Sequence, residues 1–329
     1  MTVPTCRFDT RTPPGTSRLA VVHHGGAGAP PELVRGTPHL WLHTDPASGF
    51  TETWSTPGPV HSGQCDGLVY AHTRDNLFLS GHVPARGRYA EATERAYSAA
   101  FELALGLGFP GLFRMWNLVQ DVNGENDAGV ENYRDFCVGR AEAFDRYRRR
   151  GIVMPAATGI GARGGGVTFY LLATRSAAVT HLENPWQVAA YHYPRRYGPR
   201  PPSFARASWV CPDPTTPGRG VLHVAGTASV VGHTSLHPGD VERQCDVALR
   251  NVETLIGRAN TARYRVHTDL SLADLRAIKV YVRRARDLDA VRARCARAFG
   301  LGAEVAFVVA DICRRELLVE IEGVVPAAG

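Results

Sequence analysis

An α+β fold built from two repeats, each a mixed sheet backed by two helices, is predicted by three observations. Two segments of the chain pass through the same order of elements. Within them, apolar residues recur at spacings of three and four where helices are expected, and β-branched and aromatic residues cluster where strands are expected. The length, 329 residues, exceeds the commonest single-domain size, and the 44% apolar share is that of an ordinary globular protein.

The first repeat opens with NLFLSGHVP (76–84), a strand leading into a Gly turn. YAEATERAYSAAFELALGLG (89–108) follows as a long amphipathic helix, and LFRMWNLVQDV (112–122) as the second strand. VENYRDFCVGRAEAFDRYR (130–148) supplies the second helix and GGGVTFYLLATR (164–175) the closing strand; Gly164–Gly166 also fit a β-bulge. The order returns with VLHVAGTASVVG (221–232) as strand and turn. GDVERQCDVALRNVETLIGRA (239–259) is the next helix, with Asp240 as its N-cap. LRAIKVYVRR (275–284) is a strand, LDAVRARCARAF (288–299) a short helix, and EVAFVVADICRRELLVEIEGVV (304–325) holds the closing strands. The Pro-rich YPRRYGPRPPSFARA (193–207) bridges the halves, so the expected domains are residues 1–200, including an N-terminal extension, and 201–329. The first 60 residues, rich in Pro, Gly and His, are not placed by any pattern.

Formal net charge is +6, carried by arginine, since Lys279 is the only lysine. With abundant Ala, Gly and Pro, this bias is that of a GC-rich genome. A positive balance of this size suits anionic small molecules. The arginines form no single basic stripe and no stacking-aromatic motif accompanies them, so nucleic acid is not an expected partner. Seven cysteines, an odd number with no CxxC pair, fit reduced thiols rather than a disulfide framework or zinc knuckle. His233 and His237 stand four apart in GHTSLHPGD with Cys245 downstream, but no third ligand has motif spacing, so no metal is expected. Neither a G-x-S-x-G elbow nor a GxGxxG after a strand is read, which leaves serine hydrolase and dinucleotide chemistry without support and no cofactor expected. No window has the apolar length of a membrane span, and MTVPTCRFDTRTPPG lacks the apolar core of a signal peptide, so a cytoplasmic location is expected. Either a monomer or a small homo-oligomer is compatible with these features.

ADICRRELLVEIEG (310–323) places two carboxylates in an apolar run. A strand puts Glu320 and Glu322 on one face and Val319 and Ile321 on the other. Burying one carboxylate is costly, and burying two together is worse. Desolvation and a like-charged neighbour both favour the protonated acid, and strong coupling assigns the titration to the pair. From the residues alone, two readings stand side by side: Glu320 as a protonated acid, or Glu322 aimed at a rim arginine with Glu320 capping a sheet edge.

The β-α-β-α-β order ending in LVEIEGVV resembles the RidA/YjgF (chorismate-mutase-like) family, closely over the second repeat and loosely over the first. That resemblance implies a carboxylate pocket at the final sheet edge, with Glu320 matching the first Glu of the family's closing VEIE. The family's arginine has its counterpart near Val305, and EVAFVVA contains none, which argues against imine hydrolysis. Longer stretches are more specific: MPAATGIGARGGGVTFYLLATR (154–175), AAYHYPRRYGPRPPSFARA (189–207), VAGTASVVGHTSLHPGDVERQC (224–245), ENYRDFCVGRAEAFDRY (131–147) and CRRELLVEIEG. Together, over roughly residues 60 to 325, these resemble the chorismatase family, whose members are built from two RidA-like units and release pyruvate from chorismate.

That resemblance implies Glu320 as the proton donor to the enolpyruvyl methylene. It also implies cations for two substrate carboxylates, best met by guanidinium forks. The candidates are Arg163 in its Gly-rich loop, Tyr193, Arg196 and Tyr197 on the Pro-bounded segment, and Tyr133 and Arg140 at helical spacing; surface ion pairing is the alternative role for each. In the branch of the family that forms 3-hydroxybenzoate, Gly on the AGTAS strand and Cys ahead of the catalytic strand match Gly226 and Cys313. The expected activity is therefore a lyase-type 3-hydroxybenzoate synthase of secondary metabolism. A hydrolytic chorismatase giving a dihydroxycyclohexadiene carboxylate is the alternative, and a non-catalytic metabolite-binding module is an alternative of another class.

Overall fold

The computed structural model describes residues 2–85, 87–175, 179–213, 215–216 and 219–327. The N-terminal residues that carried no pattern form a sheet with no α-helix among the described residues, only a 3-10 turn at Pro46–Ser48. Its strands are β1 (Thr5–Arg7), β2 (Thr16–His24), β3 (Ala29–Val34), β4 (Thr37–Leu42) and β5 (Phe50–Pro57), in the order β1-β5-β2-β4-β3. Along β4 the residues alternate half-buried and buried, with Pro38, Leu40 and Leu42 inward. Arg35 and Gly36 both take positive φ, the two-residue geometry that matches the twist of a hairpin.

The first six-stranded sheet follows. Its elements are β6 (His61–Cys65), β7 (Leu68–His72), β8 (Asn76–Val83), α1 (Tyr89–Gly106), β9 (Gly111–Gln120), α2 (Asn132–Tyr147), β10 (Ala156–Ala162) and β11 (Val167–Thr174). The second comprises β12 (Val179–Leu182), β13 (Ala207–Val210), β14 (Val221–Ala228), a small hairpin of β15 (Val230–Val231) and β16 (Thr234–Ser235), α3 (Val241–Ile256), α4 (Arg258–Thr261), β17 (Arg276–Val282), α5 (Leu288–Ala298), β18 (Val305–Val309) and β19 (Val319–Val325). Strand orders are β6-β7-β8-β11-β9-β10 and β12-β13-β14-β19-β17-β18, which match position for position. In each, one edge pair is parallel (β9 with β10, β17 with β18) and the rest are antiparallel, so both sheets are mixed.

The repeat read from the sequence is present, larger than expected by two outer strands in each unit (β6 and β7, β12 and β13) and by the edge strand β10 in the first. β12 already belongs to the second sheet, so strand pairing changes units between Thr174 and Val179, and residues 183–206 form an excursion within the second unit. Gly164–Gly166 make a turn, not a bulge: Gly165 and Gly166 have positive φ, and a side chain on Gly166 would collide with Val83 O. Gly159, Gly161 and Gly164 do carry GxGxxG spacing. They lie in β10 and its turn to another strand, so no helix N-terminus is there to receive a phosphate.

Among the described residues three large apolar cores result, beside a small cluster of Ala228, Val230, Ile312 and Leu317. One fills the space between the first six-stranded sheet and α1 and α2, and the second lies under α3 and α5. In the third, the helix-free faces of all three sheets meet, through Leu40 and Trp54, through Phe113, Trp116 and Tyr170, and through Tyr281 and Val308. Among the described residues no helix is long and apolar enough to cross a membrane.

Candidate active site

β19 runs between β14 and β17. Val319 and Ile321 join the core under the helices. Glu320 and Glu322 therefore face the seam with the first six-stranded sheet, as period two requires. Across from them β14 carries a bulge, its register passing from Val224↔Gly323 to Thr227↔Ile321. The freed N–H groups bond elsewhere: Ala225 donates to Arg206 O at 2.9 Å and Gly226 to Thr158 Oγ1 at 3.0 Å. Thr158 lies on β10, so the bulge ties the two units together.

The two carboxylates have opposite surroundings. Glu322 accepts from Arg114 Nη2 and Trp116 Nε1, both at 2.7 Å, and from the Thr158 hydroxyl, with Lys279 Nζ at 3.0 Å. Burial alone would raise its pKa, but Lys279 and Arg114 hold it below the usual carboxylate value. Glu320 makes no hydrogen bond or ion pair among the described residues. Burial first, and then the Glu322 charge, push its pKa up to about 8 against the opposing Arg114 and Arg206. The environment thus separates one ionised carboxylate from one that keeps its proton at neutral pH.

Glu320 opens on a cavity of about 770 Å³ between the units, within the range of small-ligand sites. Its walls include Asn117, Thr158 and α2 from the first unit, and Gly226, Glu320 and the loop before β19 from the second. Part of the 183–206 excursion lies along it, with Tyr193, Arg196 and Tyr197 among the lining residues. Tyr133, Arg140 and Cys313 line it as well. Arg140 is only 3% exposed, yet its contacts are a donated bond to Ser203 O, Met115 Sδ at 3.9 Å and the rings of Tyr97 and Phe144. Among the described residues no carboxylate pairs with it. Arg206, 4% exposed, donates to Tyr193 Oη at 2.7 Å and Val188 O at 3.2 Å, with Glu183 3.9 Å away. Burial and the nearby Glu320 push the Cys313 thiol well up, so it is a neutral thiol and not a thiolate. Burial likewise keeps the Tyr133 phenol protonated.

Arg163 is the exception. It pairs with Asp45 and lines a separate groove with His43 and Arg283, so its guanidinium serves a contact to the N-terminal sheet, away from the Glu320 cavity. His233 and Cys245 are otherwise engaged. Arg196 bonds to His233 Nδ1 at 2.8 Å, Tyr197 donates to His233 O at 2.7 Å, and Cys245 is buried in the helical core. Among the described residues no group of three His, Cys, Asp or Glu side chains could hold a metal ion.

Sequence reasoning passed over Arg114, Thr158, Glu52, Lys279 and Arg206. Two of them carried a signal. Lys279 is the sole lysine of an arginine-rich chain, and Arg114 interrupts an apolar strand.

The family described as Chorismatase FkbO/Hyg5-like, N-terminal, matches residues 52–173. A 3-hydroxybenzoate synthase of Streptomyces hygroscopicus is 47% identical over 315 residues, covering 95% of this chain and 93% of its own. A chorismatase of Streptomyces rapamycinicus is 44% identical over 331 residues, covering 99% of this chain and 98% of its own. A crystal structure of a chorismatase superposes with a TM-score of 0.92 at 45% identity, covering 98% of both chains. The first 60 residues, outside the motifs noted above, lie largely within these matches.

Proposed function

The chain belongs to the chorismatase family, and on that premise we propose that it converts chorismate to 3-hydroxybenzoate and pyruvate, with Glu320 as the proton donor. The observation that carries this reading is the contrast at β19: a buried carboxyl without a protein partner, facing a cavity that holds two buried arginines, beside a second carboxylate held ionised.

Cleaving an enol ether requires protonation of its terminal carbon. Glu320 gives its proton to the methylene, the C=C electron pair forms the new C–H bond, and an oxocarbenium ion results. The ring hydroxyl oxygen then attacks the neighbouring ring carbon as that carbon's bond to the ether oxygen breaks. Those electrons become the carbonyl of pyruvate, and the hydroxyl proton returns to the Glu320 carboxylate. The resulting arene-oxide-like ring opens and shifts hydrogen to give 3-hydroxybenzoate. No water enters, and the two products together have the composition of chorismate. Arg140 and Arg206 are the buried cations available to the two substrate carboxylates. The neutral Cys313 thiol is suited to donating towards the ring oxygen, not to acting as a base.

Gly226 and Cys313 favour the internal route over hydrolysis on the family resemblance. The test is incubation with chorismate, following pyruvate and identifying the ring product by mass spectrometry. A product carrying one extra water assigns the hydrolytic reaction instead, and binding without pyruvate release assigns a non-catalytic module.

A further inference from the structure

The mechanism leaves unused a group of charges buried where the three sheets meet. Lys279 donates to Glu52 Oε2 at 2.7 Å and to Tyr170 Oη at 3.1 Å, and forms an ion pair with Glu322 Oε1 at 3.0 Å. Its ammonium also lies 4.7 Å from the Trp116 ring centroid. A compact ammonium meets all three oxygens from a single point, and it is the one lysine of a chain that otherwise uses arginine. Glu52 comes from the N-terminal sheet and is fixed from behind by Trp54 Nε1 at 2.6 Å and His24 Nε2 at 3.3 Å. Neither Glu52 nor Lys279 lines the Glu320 cavity.

We propose that Glu52 and Lys279 are positioning residues for the proton donor: they divide the lysine charge between two carboxylates, so that Glu322 keeps enough negative charge beside Glu320 to hold the proton there. The N-terminal sheet thereby takes part in the reaction. This inference rests on Glu320 as the acid. The groups facing Glu320 are Glu322 on its own strand, Arg114 on β9, Arg206, Tyr133 on α2, Tyr281 on β17 and Cys313 in the loop before β19. Burial keeps both tyrosines and the thiol protonated, so Glu322 is the acid whose charge state governs Glu320.

Replacing Glu52 by Gln leaves the whole ammonium charge to Glu322 and removes a negative charge from the centre. Both effects favour ionisation of Glu320. The alkaline limb of kcat/KM for chorismate is then expected at lower pH, with activity at pH 8 down roughly three- to tenfold and activity at pH 6 within about twofold of wild type. Tyr170→Phe removes only an oxygen, leaves one lysine donor unpaired, and moves the limb the same way by less; it serves if Glu52→Gln does not fold. Glu52→Asp keeps the charge and should retain the wild-type limb. If wild type releases pyruvate but the limb is unmoved in the folded variants, or moves as far in Glu52→Asp as in Glu52→Gln, the inference is overturned. A wild type that releases no pyruvate overturns instead the reading of Glu320.

Discussion

Gly226 and Glu320 lie so close across β14 and β19 that a methyl group on the glycine would overlap the carboxylate oxygen Oε1. It would also stand 2.9 Å from the carboxyl carbon and 3.1 Å from Thr158 Cγ2. The space that a glycine leaves at this position is occupied by the acid itself.

Gly226→Ala is therefore expected to swing the Glu320 carboxylate out of its present position. Turnover should fall and the product ratio shift towards hydrolysis, read by mass spectrometry of the ring product. An unchanged ratio and rate would remove this contact from the account of selectivity.

Glu320→Gln keeps the shape and removes the transferable proton. Pyruvate release should drop about 10²–10⁴-fold while chorismate affinity changes little. The same variant should be more stable than wild type. Between the unfolded carboxyl pKa, near 4.5, and about 8, the folded protein binds a proton that the unfolded chain releases, so this group costs stability as pH rises. Removing it should add about 1–3 kcal/mol at neutral pH, measured by urea denaturation. Equal turnover in the variant and wild type would sink the assignment.

The pH dependence of catalysis has a definite sign. The protonated acid is the active form, so kcat/KM should hold at neutral pH and fall as pH rises through about 8. A limb falling near pH 4.5 would mean that Glu320 is an ordinary ionised carboxylate.

Arg140→Gln separates binding from folding. A buried guanidinium without a carboxylate partner contributes little to stability, so the variant should unfold at a urea concentration equal to or above that of wild type. KM for chorismate should rise roughly 10–100-fold, the worth of a charge-assisted hydrogen bond. Steady-state kinetics decide this; an unchanged KM would direct attention to Arg206 as the main anchor.

Lys279→Met has the opposite signature. It strands Glu52 and Glu322 in the shared core, where burial opposes charge. A loss of about 3–5 kcal/mol is expected on denaturation.

What the sequence disclosed and what it withheld follow from the range of the interactions. The shared face of Glu320 and Glu322 was readable because a strand's period of two is local. Which of the two is free was not, because their sorting depends on Arg114, 208 positions from Glu322, and on a Lys279–Glu52 pair 227 positions apart. β10, AATGIGA, offered no β-branched run; it is extended through its parallel pairing with Arg114–Gln120, where neighbours outweigh propensity. The β6–β7 hairpin did carry a local signal, Asp66-Gly67, with both residues at positive φ. The Arg163–Asp45 pairing was not legible either, because a glycine-rich loop next to an arginine is equally good at meeting a substrate or a protein carboxylate.

The position-for-position match of the two six-stranded sheets has a numerical consequence. Glu320 and Glu322 pair with Tyr281 and Lys279; the corresponding residues of β11, Thr168 and Tyr170, pair with Leu118 and Trp116. Within one polypeptide, one copy carries the two acids while its twin fills the same places with a hydroxyl and a phenol. A ring of identical subunits would repeat its chemistry at every joint, whereas calorimetric titration here should saturate at a stoichiometry of one chorismate per polypeptide.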